Sequence, residues 1–419
     1  MTAARRLAPL VDRLLGGPPP LRLRLWDGSA LGPADAQTVT LTSRRALRRL
    51  LWQPGELGVA QAYISGDLEV EGDLAQALRT AWAAGRAGTP RPGLRPGDRA
   101  RALATLARLG AVGPPPRAPG RPARPRGRRH SRARDTAVIS HHYDLSNAFY
   151  ALLLDPSMAY SCALWTKPPG TPGHTLGDAQ HDKLEAICRK LELTPGARLL
   201  DIGCGWGSLT LHAAAHHGAR VTAVTLAGQQ AAHVRRAALD RGLGERVEVR
   251  HQHYRELAGP GEYDVVASVE MGEHVGDASY PHFAALFHDR LRPGGRLLLQ
   301  QMARGRHAPG GGPFIETYIA PDMTMRPLGD TLNLLESAGL ETLTVESLRA
   351  DYAHTVDAWR ATLEAEWDRF VALVGRETAR VWRLYLAGGG LAFEERRKGV
   401  HQILAERPTP PAASGGGAR

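Results

Sequence analysis

Leu199-Leu200-Asp201-Ile202-Gly203-Cys204-Gly205-Trp206-Gly207 decides the fold of this chain. Arg198 to Ile202 is an apolar run that reads as a buried strand, and three glycines at alternate positions follow it. A helix-compatible segment begins near Ser208. At such a turn the backbone can approach a ligand closely, because no Cβ stands in the way. The G-x-G-x-G spacing after an acidic residue differs from the G-x-G-x-x-G of dinucleotide folds. Downstream the alternation is regular: strands at 220–226, 246–250, 263–269 and 295–302, with helices at 229–239 and 282–291 between them. That order predicts an α/β, doubly wound parallel sheet. Ligands bind at the C-terminal strand ends of such sheets, where Gly203 to Gly207, Thr225, Gln252 and Glu270 to Gly276 fall.

The 419 residues suffice for two domains, and no run of about 18 apolar residues exists to span a bilayer. The N-terminus lacks the apolar core of a signal peptide. Three cysteines, without metal-site spacing, fit a reducing cytoplasm. His141, His142 and His274 also lack ligand spacing, so no metal is expected. The net charge is +11, and eight arginines with no acid lie between Pro114 and Arg134. Proline and glycine fill the gaps there, which predicts a poorly ordered linker over 111–134. A basic tether suits anionic phospholipid or nucleic acid, and equally suits a merely solvated linker. The linker divides an N-terminal region, 1–110, from a C-terminal one, 135–405, and residues 406–419 are expected to be disordered. Near the N-terminus, Leu7, Leu10, Val11, Leu14 and Leu15 share one helix face, suited to a membrane surface or to packing on its own domain.

The glycine turn resembles the first motif of class I S-adenosylmethionine (SAM) methyltransferases. Further blocks narrow the likeness. They are His142 to Asn147, Met158-Ala-Tyr-Ser-Cys-Ala-Leu-Trp165, Ser268-Val-Glu-Met-Gly-Glu-His-Val-Gly276, Phe314 to Pro321 and Tyr352 to Trp359. Together they resemble the cyclopropane-fatty-acyl-phospholipid synthase family, which includes mycolic acid cyclopropane synthases and lipid methylases making methyl-branched chains. The resemblance covers Arg134 to Glu406. More weakly, Gly55 to Gly58 and Ala62 to Gly66 look like the smaller α+β accessory domain of longer synthases, which assists dimerisation and lipid contact. A homodimer is thereby raised.

The resemblance implies methyl transfer from SAM to the cis double bond of an unsaturated phospholipid acyl chain, at the inner face of the plasma membrane. An alkene is a feeble nucleophile, so orientation and exclusion of water must carry the reaction. By the family pattern, Gly203, Cys204 and Gly205, at the end of the Asp201 strand, line the methionine moiety. Tyr160 and Ser161 also touch SAM. Thr225, Leu226 and Gln230 surround the ribose, and Gln252, His253 and Tyr254 sit near adenine. Many methyltransferases carry an acid where His253 stands.

Family synthases hold a bicarbonate ion as base, and Glu273, Tyr352 and the backbone at Cys162 match three of its positions. A fifth-strand histidine of the bacterial synthases is Gln300 here, which cannot exchange a proton near neutral pH. Glu270 stands where those synthases have a small residue. Both changes resemble the actinobacterial methylases that give a methylene chain, saturated by a partner reductase. Cyclopropane formation is the leading reading and methyl or methylene branching the alternative. Leu152 to Leu154, Phe314, Tyr318, Trp359, Leu386 and Phe393 are acyl-pocket candidates by family position. A nucleic-acid methyltransferase would show a target-recognition region and an N-P-P-Y type signature, and neither is present. A non-catalytic lipid-binding relative would not need the intact Gly203, Gly205, Glu273 and Tyr352.

Overall fold

The computed structural model describes residues 1–87, 96–123, 125–143, 146–259, 261–305 and 311–410. The chain divides into two compact units. One comprises Met1–Pro122 with Gly312–Ile319 and Leu363–Leu391, and the other comprises Ala123–Gly311, Ala320–Thr362 and Ala392–Arg419. The sequence boundary at 110 did not anticipate that two later segments join the first unit. Chain order hid them, since each is a helical stretch lying between elements of the other unit.

In the first unit, four short strands (Arg22–Arg24, Ala30–Leu31, Thr38–Leu41, Leu68–Val70) form a mixed sheet. The helix Ala3–Leu15 buries Ala3, Ala4 and Leu7 in a cluster with Leu25, Leu41 and Leu47. The N-terminal part of its apolar face therefore packs on its own unit, while Leu14 and Leu15 at its end stay exposed. Arg380 joins a late segment to the strand region by donating to Glu69 and to the carbonyls of Tyr63 and Leu68.

The second unit is built on a seven-stranded sheet. Its strands are β1 (Arg198–Ile202), β2 (Arg220–Thr225), β3 (Val247–His251), β4 (Tyr263–Val269), β5 (Leu291–Arg304), β6 (Glu341–Ser347) and β7 (Lys398–Glu406). The order is β6-β7-β5-β4-β1-β2-β3. The first five strands run parallel, as their alternation with helices predicts. β7 inserts antiparallel between β5 and β6, so the sheet is mixed at that edge. Helices α1 (Leu176–Lys190), α2 (Ser208–His216) and α3 (Gly228–Asp240) accompany β1 to β3. Next come α4 (Tyr280–Arg290), α5 (Leu328–Ser337) and α6 (Arg349–Ala365). Two apolar layers sandwich the sheet: one around Phe283, Phe287 and Leu335, the other around Ile187, Leu209 and Leu211.

The expected linker is not a loose tether. The Arg117 carbonyl accepts from Arg49, and the Gly120 amide donates to Glu377. Arg129 and Arg134 both pair with Asp322, at 3.0 and 2.5 Å, and a helix begins at Arg132. Arg129 and Arg134 are thus structural, both spent on the buried Asp322, a partner that composition alone does not reveal. Residues 411–419 of the expected tail lie outside the described residues. Before them, Arg407 still exchanges backbone hydrogen bonds with Gly294 and Gly295.

Candidate active site

At the C-terminal ends of β1, β2 and β4 the second unit holds a cavity of about 1070 Å³, counting the solvent at its open mouth. Strand-end clefts of this kind are the usual seat of a small-molecule cofactor in doubly wound sheets. The turn after β1 builds its floor. Gly203 and Cys204 both donate their amides to the Val224 carbonyl, and Gly203, Gly205 and Gly207 all take positive φ. A Cβ on Gly203 would stand 2.7 Å from Met271, and one on Gly207 would stand 2.8 Å from Val234. A Cβ on Gly205 would meet nothing within 4 Å, because that face opens into the cavity. The first and third glycines thus serve close packing and the middle one leaves room for a ligand.

All twelve residues expected around SAM line this cavity: Tyr160, Ser161, Asp201, Gly203, Cys204, Gly205, Thr225, Leu226, Gln230, Gln252, His253 and Tyr254. Asp201 is buried, and burial pushes its carboxyl up to about 6 although Thr210 donates to it at 2.7 Å. The Thr225 hydroxyl donates to Gln230 Oε1 at 2.7 Å and accepts from the Ala227 amide, which fixes the turn between β2 and α3. His253, where many methyltransferases have an acid, accepts from the Arg255 amide at Nδ1 and meets Asp135 at 3.4 Å through Nε2. A carboxylate thus reaches this end of the cavity from another segment, since Asp135 itself lines the wall.

Among the expected catalytic residues the structure makes one correction. Cys162, Tyr352 and Gln300 come together, but around Glu270 rather than Glu273. The Cys162 amide and Gln300 Nε2 each donate to Glu270 Oε1 at 2.8 Å, and the Tyr352 hydroxyl donates to Oε2 at 2.5 Å. Gln300 is held in turn by Gln402, which donates to its Oε1 at 2.9 Å. Glu270 has φ +54°, an unfavourable conformation for a non-glycine residue, and its amide donates to the Gln300 carbonyl. Backbone strain of this kind is stored where a side chain must be aimed. Glu270 lines the cavity. Glu273 is fully buried, accepts from the Met302 amide and is not part of the cavity wall. The two acids share one sequence motif, and only the bend at Glu270 decides which of them faces inward.

A bicarbonate ion does not fit this arrangement. The donors that would hold it, Cys162 N, Tyr352 Oη and Gln300 Nε2, are all committed to the Glu270 carboxylate. A further anion would face Glu270 with only Lys183 nearby to offset the repulsion. Burial raises the Glu270 carboxyl above the usual range, against the lowering effect of its three donors and Lys183.

Lys183 is the residue that sequence reading missed. It is buried in α1, donates to Ser161 Oγ at 2.8 Å and lines the cavity. Burial lowers its pKa, while Glu270, Asp155 and Asp201 act to raise it. The signal was available: Gln180, Lys183, Leu184 and Ile187 follow the i, i+3, i+4, i+7 stripe of a buried helix face. Met158, Trp206, Ser208 and His274 also line the wall.

Aromatic rings continue from the cavity. Tyr160 packs against Tyr150 and Trp359, and Tyr352 stacks on Phe393 at 4.3 Å. Of the acyl-pocket candidates, Leu152 to Leu154, Trp359 and Phe393 belong to this unit, whereas Phe314, Tyr318 and Leu386 belong to the other. Asp144 and Leu145, from the first motif block, lie outside the described residues, as do the side chains of His141 and His142.

The mycolic acid cyclopropane synthetase family profile matches residues 130–403. The chain is 38% identical over 413 residues to a probable fatty acid methyltransferase of Mycobacterium tuberculosis, covering 94% of this chain and 92% of the relative. It is 32% identical over 406 residues to a tuberculostearic acid methyltransferase of the same organism, covering 94% and 89%. A cyclopropane-fatty-acyl-phospholipid synthase of Escherichia coli is 32% identical over 279 residues, 66% of this chain and 69% of that one. The crystal structure of the mycolic acid cyclopropane synthase CmaA1 with SAH and CTAB superposes with a TM-score of 0.60 at 30% identity, covering 65% of this chain and 98% of that one. With the glycine turn, the cavity and the strand-end acids in place, the chain belongs to the mycolic acid cyclopropane synthetase family and is a SAM-dependent lipid methyltransferase.

Proposed function

We propose that the protein methylates the cis double bond of an unsaturated phospholipid acyl chain, and that Glu270 receives the proton lost afterwards. SAM supplies an electrophilic methyl group. The twelve cavity residues orient it, and the buried rings around Tyr160 and Trp359 exclude water that would trap a carbocation. Glu273 stands behind this wall as a support for the β4 end, not as the base.

The same carboxylate bears on the product. Closing a ring requires prompt loss of a proton from the added methyl group. Glu270 carries three hydrogen-bond donors, which temper it as a base, and Gln300 cannot relay a proton. Slower proton loss gives a neighbouring hydride time to shift and form the more stable tertiary cation. Loss of a methyl proton from that cation leaves an exomethylene group. We therefore favour the methylene-branched product over the cyclopropane, with saturation to a methyl branch left to a partner reductase. The full-length likeness to a tuberculostearic acid methyltransferase supports the same choice.

Such a substrate calls for contact with a membrane surface. No described helix is long and apolar enough to cross one. Leu14, Leu15, Trp52 and Val59 are exposed apolar residues on the first unit and suit lipid contact, which keeps the accessory-domain role, homodimer included, as part of this reading. The decisive experiment treats oleoyl-phospholipid vesicles with purified protein and methyl-labelled SAM. Mass and proton spectra of the fatty-acid methyl esters then separate an exomethylene from ring protons. Ring protons would overturn the branching choice, and an unlabelled lipid would overturn the substrate class.

A further inference from the structure

On the far parts of α1 and α2, away from the residues those helices give to the cavity, lies a second cluster. Cys188, His212 and His217 place ligand atoms within 4.8 Å of one another. Glu185 Oε2 lies 3.3 Å from His212 Nε2 and 3.0 Å from His217 Nε2. Its other oxygen lies 3.6 Å from Arg189. His181 and His216 add rings 5.1 and 4.6 Å from that of His212. Helical spacing explains the convergence: His181, Glu185 and Cys188 share one face of α1, while His212 and His216 lie one turn apart on α2.

We propose that Glu185, Cys188, His212 and His217 form a structural zinc site that clamps α1 to α2. Bonds of about 2.0–2.3 Å at tetrahedral angles place neighbouring donor atoms roughly 3.3–3.8 Å apart. The Glu185–His212 and Glu185–His217 separations of 3.3 and 3.0 Å already lie close to these edges, and Cys188, within 4.8 Å of both histidines, closes in on the ion as it binds. One thiolate, two imidazoles and one carboxylate suit a borderline-soft divalent ion and discriminate against magnesium or calcium. Four protein ligands fill a tetrahedron, which makes the site structural rather than hydrolytic. Cys188 and His212 are buried, while His217 and Glu185 are part-exposed and offer the ion a way in.

The clamp has a consequence for the cavity. α1 also carries Lys183 and Leu184, and α2 begins with Ser208 and Leu209, all four in the cavity wall. Fixing one helix on the other fixes those four side chains.

The test uses full-length protein stripped of metal with a chelator and titrated with Co²⁺, then with Zn²⁺. One Co²⁺ per chain is expected, with intense tetrahedral visible bands and a near-ultraviolet thiolate-to-cobalt band that Zn²⁺ abolishes. Cys188→Ser should remove the thiolate band, and His217→Gln, at a part-exposed position that tolerates the change, should weaken Co²⁺ binding by more than about tenfold. Zinc should raise the melting temperature of the wild type and not that of His217→Gln. A wild-type protein that binds no Co²⁺, or a His217→Gln variant that binds it with unchanged affinity and spectrum, would overturn the site.

Discussion

Glu270 and Glu273, three residues apart at the end of β4, differ in setting: Glu270 is half-buried and faces the cavity, whereas Glu273 is fully buried behind it. Burial and the neighbouring Glu270 push Glu273 up to about 8, so it holds its proton at neutral pH, while burial raises Glu270 against its three hydrogen-bond donors and Lys183.

This pair predicts a pH-dependent stability. The folded pKa of Glu273 lies above its unfolded value, so the native state binds the extra proton between pH 4.5 and about 8. Its contribution is full below pH 4.5 and declines as pH rises through 8, with a limiting slope of about 1.4 kcal/mol per unit. Glu273→Gln keeps the neutral shape and should flatten that decline. Denaturant midpoints of both proteins at pH 5.5 and 8.5 measure it, and parallel losses would remove Glu273 as the cause.

Glu270→Gln should leave SAM affinity within a few-fold and cut methyl incorporation by about 10²–10⁴-fold, the usual worth of a positioned proton acceptor. Equilibrium titration with SAM and a lipid-label assay read the two effects separately. Unimpaired labelling would place the base elsewhere.

Gly205→Asp sets a charged side chain in the space the cofactor would occupy and should weaken SAM binding on the order of a hundredfold or more. Gly203→Ala acts differently. Its methyl group would press on Met271 at positive φ, costing about 1–3 kcal/mol of stability. Calorimetry with SAM, compared with thermal melting, distinguishes the ligand effect from the packing effect.

Lys183→Met retains the length of the side chain but strands Ser161 and leaves Asp201 and Glu270 without a neighbouring cation. A loss of about 1–3 kcal/mol is expected, as for a buried partner removed from one side of a hydrogen bond. A variant as stable as the wild type in urea would show that Lys183 is not offsetting those acids.

The parallel strands and the cofactor cavity were legible in the sequence because each rests on local pattern. Apolar runs mark β1, β2 and β4, glycine marks the turn after β1, and strand ends gather the ligand residues. Other features depend on contacts across long stretches of chain. β7 pairs with β5 some hundred residues earlier, and its run from Lys398 to Glu406 carries no turn signal linking it there. The choice between Glu270 and Glu273 hangs on one backbone angle, which composition does not encode. The arginines at 129 and 134 read as a charge run until Asp322, nearly two hundred residues on, supplies their partner. Lys183 follows the buried helical stripe, but a lysine by itself marks an exposed face, and its burial depends on packing against Ser161.

Gln402, on β7, donates to Gln300 across 102 residues of chain, and Lys190 in turn donates to Gln402. The donor set around Glu270 is therefore finished by one of the last strands to be made. A nascent chain can close its glycine turn and gather the nucleoside end of the cavity early in synthesis. The end that holds Glu270 stays unbraced until β7 has emerged and threaded between β5 and β6. Competence to alkylate thus arrives late on the ribosome, after the part of the molecule that recognises the cofactor.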